Sequence, residues 1–222
     1  MPRSRRRSRG PEVAGPARGP LQQARVEVAR TAARLMAEEG VHSFAEAKDK
    51  AAAMLGVHGR KALPRNDEIE AEIRAYQALF QADEQPLWLA RMRRTALELM
   101  DLLDDFSPRL AGAVLRGTAP RDAEITLHLF VEPPERVATF LLDRRIPWEL
   151  DSWSGRFGRG ERQLPMYRVQ AGAESVRLIV FPPGGPREAP RSPVDGRPMT
   201  RANRAQVAAL LEEPGLEAGS PE

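Results

Sequence analysis

Along residues 21–39, LQQARVEVARTAARLMAEE, apolar side chains return every three or four positions. Val28, Ala32, Leu35 and Met36 share one stripe, the spacing of a helix with one buried face. Gly40 follows as a stop. A second helix is expected over Phe44–Leu55, with Ser43 as N-cap and Gly56 just past its end. A third begins after Pro64, capped by Asn66 or Asp67, with Ile69, Ile73, Tyr76, Leu79 and Phe80 as its buried face. A fourth covers 86–105, with Leu89, Met92, Ala96, Leu99, Leu103 and Phe106 as the core stripe and Pro108 as terminator.

Beyond Pro108 the period changes. LAGAVL, 110–115, reads as a short apolar strand. EITLHLFV, 124–131, alternates: Ile125, Leu127, Leu129 and Val131 face one way, and Glu124, Thr126, His128 and Phe130 the other. A helix opened by prolines is expected over 133–145, and PWELDSWS is an ambiguous short strand. Segments 164–171 and 174–183 flank Gly172 as a hairpin. GGPREAPRSPVDGRP is a loop, and 200–213 is a helix burying Val207, Leu210 and Leu211. The fold class is therefore α+β: a small mixed sheet with flanking helices, preceded by a helical N-terminal region. The expected parts are a basic disordered arm over 1–20, a helical region over 21–82, an α/β domain over 83–182, and a loop plus helix over 183–222 whose last residues fray.

Composition narrows the function classes. With 222 residues, 41% hydrophobic and 29% charged, the chain can bury a core. It has no cysteine, which removes disulfides, zinc fingers and thiol chemistry and suits a cytoplasmic setting. No apolar run is long enough to span a membrane, so no membrane partner is expected. MPRSRRRSRG is basic, but PEVAGPARGP follows where a secretory leader needs an apolar stretch. Net charge is only +3 and much of the excess lies in this arm, so specific nucleic-acid contact is not expected of it. His42, His58 and His128 share no metal-ligand spacing.

Residues 111–130 read AGAVLRGTAPRDAEITLHLF. Gly112-Ala113 is followed by 114–123 and then by Glu124-Ile125-Thr126-Leu127. Glycine lets backbone N–H groups approach phosphates closely. Acidic residues at i and i+2 of a strand share a face and can hold Mg²⁺. The stretch resembles the minimal nucleotidyltransferases of the DNA polymerase beta-like superfamily. There, Gly-Gly or Gly-Ser, a spacer of similar length, and Asp-apolar-Asp-apolar follow in that order. Gly112, Arg116, Gly117, Ala119, Ile125 and Leu127 fall in register with it, over a resemblance spanning 86–182.

The resemblance implies that Gly112, Ala113, Arg116, Gly117 and Thr118 hold a nucleoside triphosphate. It also implies that Glu124 and Thr126 are the catalytic positions, with Glu124 the ligand of Mg²⁺ if the site is active. The reaction would be nucleotidyl transfer to a hydroxyl or protein acceptor. The chain departs from the pattern in chemistry. Ala113 replaces serine or glycine, Glu124 replaces the first Asp, and uncharged Thr126 replaces the second. The family's third carboxylate belongs on a later strand, where Val176, Arg177 and Leu178 stand and only Glu174 at the edge is acidic. A site of Glu124, Thr126 and Arg177 would be degenerate, with catalysis lost or altered, and would favour a nucleotide or other phosphate ligand.

Other readings stand beside this one. Without that register, Arg116-Gly117-Thr118 is a turn and Glu124, Thr126 and His128 are the polar face of a half-exposed strand. The helices over 21–80 resemble helix-turn-helix regulators up to Gly56-Val57. The next helix, however, opens with Asp67, Glu68, Glu70 and Glu72, which repel phosphate. The same helices are the expected surface for a protein partner if the chain is an interaction module. Of the tryptophans, only Trp148 and Trp153 are spaced to line a pocket; separately, Arg197 and Arg201, in the loop leading to the last helix, could reach back to an anion at the cleft.

Overall fold

The computed structural model describes residues 19–158, 160–185 and 188–212. The basic arm up to residue 18, and the chain beyond 212, lie outside the described residues. The fold is α+β. Four helices come first, α1 (Pro20–Glu38), α2 (Phe44–Met54), α3 (Asn66–Phe80) and α4 (Gln85–Leu102). Then come β1 (Arg109–Ala111), α5 (Gly112–Arg116), β2 (Ile125–Phe130), α6 (Glu135–Asp143), β3 (Trp148–Phe157), β4 (Gly160–Ala171), β5 (Glu174–Phe181) and α7 (Arg204–Glu212). No helix among the described residues is long and apolar enough to cross a membrane.

The helical region has its own core. Val28, Ala32, Leu35 and Met36 of α1 meet Ala47 and Ala51 of α2 and Ile69 and Ile73 of α3. Ser43 caps α2 by accepting from the Glu46 N–H at 3.5 Å. The N-cap of α3 is Arg65 rather than Asn66 or Asp67, because the Glu68 carboxylate reaches back to the Arg65 N–H at 2.6 Å. Asn66 is free for other work: it accepts from Lys48 and donates to the Pro193 carbonyl. Leu79 and Phe80 are not buried; they are 73% and 66% exposed, on a last turn of α3 that extends past the stripe packed on α1.

LAGAVL is not one strand. β1 stops at Ala111, and Gly112 at φ +78° turns the chain directly into α5. The Gly112 Cβ position is clear, with Thr126 Oγ1 at 3.5 Å, so the requirement is the backbone angle rather than room. Gly117, also at φ +78°, ends α5 as a left-handed cap.

The five strands run in the order β1-β2-β5-β4-β3. β1 is antiparallel to β2, β2 parallel to β5, and β5, β4 and β3 successively antiparallel. The ambiguous PWELDSWS segment is the start of a ten-residue edge strand paired with β4 along its length. β4 likewise begins at Gly160 rather than 164. One sheet face carries the main core: Ile125, Leu127, Leu129, Val176, Leu178, Val180 and Val169 against Met92, Ala96 and Met100 of α4 and Val207 of α7. In α7, which starts at Arg204, Val207 is buried while Leu210 and Leu211 are only partly so. The other face holds a smaller cluster of Phe130, Phe157, Met166, Ile179 and Phe181. β2 is thus buried at every position from Ile125 to Phe130, not half-exposed.

Candidate functional site

The second face of the sheet is where the polar side of β2 points. Parallel pairing sets Thr126 opposite Arg177 and His128 opposite Ile179. The Arg177 guanidinium donates from Nη2 to Thr126 Oγ1 at 3.0 Å, and its Nε is 3.2 Å from Glu124 Oε2. The latter is an ion pair without hydrogen-bond alignment, since Nε has no hydrogen-bond partner. Glu124 also meets Arg168 at 3.5 Å, and Arg168 in turn meets Asp151 at 3.2 Å. Burial lowers the Arg177 pKa from its ordinary value; Glu124 opposes that shift and Arg168 adds to it. Arginine remains protonated regardless. A fixed positive charge therefore lies between the Glu124 and Thr126 side chains.

These contacts bear on the implied magnesium. Mg²⁺ takes several oxygen ligands in octahedral array. Here Glu124 is flanked by two guanidinium groups, Thr126 is neutral, and Glu174, the other acidic residue in reach by sequence, is buried and bound by Arg91 of α4 at 2.6 Å. Among the described residues no three His, Asp or Glu side chains gather where they would hold a metal ion. The donor set does not fit Mg²⁺.

The glycine-turn residues divide into two groups. Gly112, Ala113 and Arg116 line a cleft of about 1,020 Å³ together with Thr126, His128 and Arg177. Gly117 and Thr118 are not among its lining residues. Gly117 lies against Leu89 and Arg93 of α4, and its carbonyl accepts from Gln85 at 3.0 Å. Thr118 is buried and donates to Glu70 Oε1 at 2.9 Å; Arg116 Nε donates to the same oxygen at 2.9 Å. Glu70, buried on α3, thereby ties the helical region to the turn after α5. Gln77 of the same helix and Trp88 of α4 donate to the carbonyls that follow. The sequence RGT thus works mainly as a joint.

The rest of the cleft comes from distant segments. His42, Ser43, Phe44 and Asn66 contribute from the helical region, Trp153 to Gly158 from the end of β3, and Arg191, Ser192, Pro193, Gly196 and Met199 from the Pro/Gly loop. The loop is held in place by Arg191 N–H donating to the Arg156 carbonyl at 2.6 Å and by the Asn66–Pro193 contact. The charged lining residues are Arg116, Arg156, Arg177 and Arg191, and no Asp or Glu is among the described lining residues. Arg156 and Arg191 make no ion pair among the described residues, so the cleft is open to anions.

Of the two late-loop arginines favoured by the sequence, neither lines the cleft. Arg197 is largely exposed, and Arg201 stacks over Phe130 at 5.4 Å and donates to the Gly185 carbonyl. Trp153 lines the cleft, whereas Trp148 packs edge-on against Tyr167 elsewhere. Arg156, Arg191 and Phe44 carried no signal in the sequence. Arg177 was indicated only by the resemblance, as a residue standing where a third carboxylate would be expected. No protein-family model, no curated protein and no solved structure matches the chain.

Proposed function

We propose that the protein is a degenerate nucleotidyltransferase-like protein that binds a nucleotide or related phosphate ligand without a bridging metal ion. Arg177 supplies the positive charge that Mg²⁺ supplies in an active relative. The observation that carries this reading is the Arg177 guanidinium held between Glu124 and Thr126 at the base of an arginine-lined cleft. Arginine suits phosphate because its planar fork donates two parallel hydrogen bonds. The run from Gly112 through Leu127, and the sequence of a helix, a strand, a glycine turn, a strand and a helix around it, support the nucleotidyltransferase resemblance. The aromatic rings of Trp153 and Phe44 in the same cleft suit a base better than they suit a bare anion.

The test is calorimetric titration of the full chain with ATP, GTP, CTP and UTP, in EDTA and in Mg²⁺. Binding is expected in EDTA. The discriminating variant is Glu124→Ala. At a metal site it abolishes binding; at an arginine site it releases Arg177 from its carboxylate and binding persists or tightens by about tenfold or less. A strict requirement for Mg²⁺, lost in Glu124→Ala, would overturn the proposal.

A further inference from the structure

His128 is fully buried, and neither ring nitrogen has a hydrogen-bond partner. Buried polar groups are almost always paired, because leaving one unpaired costs desolvation with nothing in return. Burial, with Arg201 and Arg177 nearby, pushes the imidazole pKa down to about 3. The ring is therefore neutral at physiological pH, with one donor and one acceptor. It faces Phe181 at 4.5 Å and Trp153 at 6.2 Å between ring centres, and it lines the cleft. Trp153 lies directly over Gly155, where a Cβ would come within 2.1 Å of the indole. Only a bare backbone lets the indole lie there, next to His128.

We propose that His128 and Trp153 form the recognition pocket for a planar heteroaromatic ring, a nucleobase whose donor–acceptor edge pairs with the imidazole while its face stacks on the indole. The proposal rests on the phosphate-cleft reading above and adds to it the part of the ligand that is selected. The spacing suits a nucleoside phosphate. His128 and Thr126 are two residues apart on one strand face, roughly 7 Å, and Arg177 is bonded to Thr126. A ring at His128 thus leaves its phosphates beside Arg177. His128 and Trp153 line the same cleft with their ring centres 6.2 Å apart. The other polar side chains buried as deeply, Glu70, Gln77, Thr118, Thr126 and Glu174, have partners, and although Gln81 Oε1, Arg177 Nε and Arg201 Nη1 are also unpaired, His128 combines full burial with two unpaired nitrogens.

The experiment compares inorganic tripolyphosphate, which presents the anion alone, with ATP, GTP, CTP and UTP, all in EDTA on the full chain. At least one nucleotide is expected to bind about tenfold or more tightly than tripolyphosphate. His128→Phe is expected to bring that nucleotide down to the tripolyphosphate level while leaving tripolyphosphate unchanged. His128→Asn, which keeps a donor and an acceptor, is expected to retain part of the preference. Trp153→Ala, at a partly exposed position, is expected to lower it as well, and it decides the matter should His128→Phe fail to fold. Tripolyphosphate binding with no nucleotide preference, or a preference that survives His128→Phe or Trp153→Ala, overturns the base pocket and leaves the phosphate cleft standing. Absence of binding by every probe overturns both.

Discussion

On the α4 side of β2, Ile125, Leu127 and Leu129 are fully buried among Met92, Ala96, Leu178 and Val180. On the other side, Thr126 and His128 are also buried, yet they meet Arg177, Trp153 and Phe181. The two sides of one strand are equally hidden from water and differ in what they are made of. The first is closed by apolar packing, which contributes stability in proportion to area. The second keeps a guanidinium, a carboxylate, a hydroxyl and an unpaired imidazole under partial cover. A stretch of core that retains polar groups gives up stability relative to apolar packing, a cost that the proposed ligand site would account for.

Substitutions should separate the two sides. The largest effect is expected for Leu127→Ala, a loss of about 2–5 kcal/mol in urea unfolding through the cavity it leaves. Thr126→Val, its neighbour on the opposite face, should cost about 1 kcal/mol, the worth of the bond to Arg177. Equal losses at the two positions would break the contrast. Glu124→Ala should destabilise by about 1–3 kcal/mol, because a partly buried Arg177 loses its carboxylate, and this loss should accompany the retained or tightened anion binding. Gly155→Ala should displace the Trp153 indole at a cost of about 1–3 kcal/mol and shift the tryptophan emission.

The imidazole provides a pH signature. Its pKa falls from 6.5 in the unfolded chain to about 3 in the folded one. Between these values the unfolded chain carries a proton that the native chain does not, so stability rises with pH across the window. The contribution is complete above pH 6.5 and is lost as pH falls toward about 3, by about 1 kcal/mol per unit. His128→Phe should remove that slope, and without ligand it should raise the melting temperature, since two unpaired nitrogens disappear. An unchanged slope would assign it to carboxylates instead. The smallest effect belongs to the exposed Arg162–Glu188 pair, where Arg162→Ala should change stability by about 0.5 kcal/mol or less.

Much of the scaffold was legible locally. The stripe Val28, Ala32, Leu35, Met36 is buried as its spacing implied, and Ser43 caps α2. The alternation of β2 assigned the correct residues to its two sides. Leu79 and Phe80 misled because an apolar stripe says that a face is suited to burial, not that a partner extends far enough to cover it. LAGAVL misled because one residue at positive φ outweighs the strand preference of its neighbours. Within the site, Gly112, Arg116, Glu124 and Thr126 were visible as a spaced set, but the partners that determine what they do were not. Nothing near Thr118 in the chain suggests that its hydroxyl is spent on Glu70, 48 residues away.

The sequence alone determined most of the element types, the two faces of β2, and the backbone freedom at Gly112 and Gly117. These follow from local sterics and from the periods of helix and strand, which act over a few residues. Tertiary structure alone decided that Arg177 lies opposite Thr126, that Arg156 and Arg191 are joined at the cleft, that Trp153 covers Gly155, and that His128 is left without a partner. Each depends on strand register or loop closure between segments distant in the chain. A one-residue change in the β2–β5 register would have turned Arg177 to the other side of the sheet.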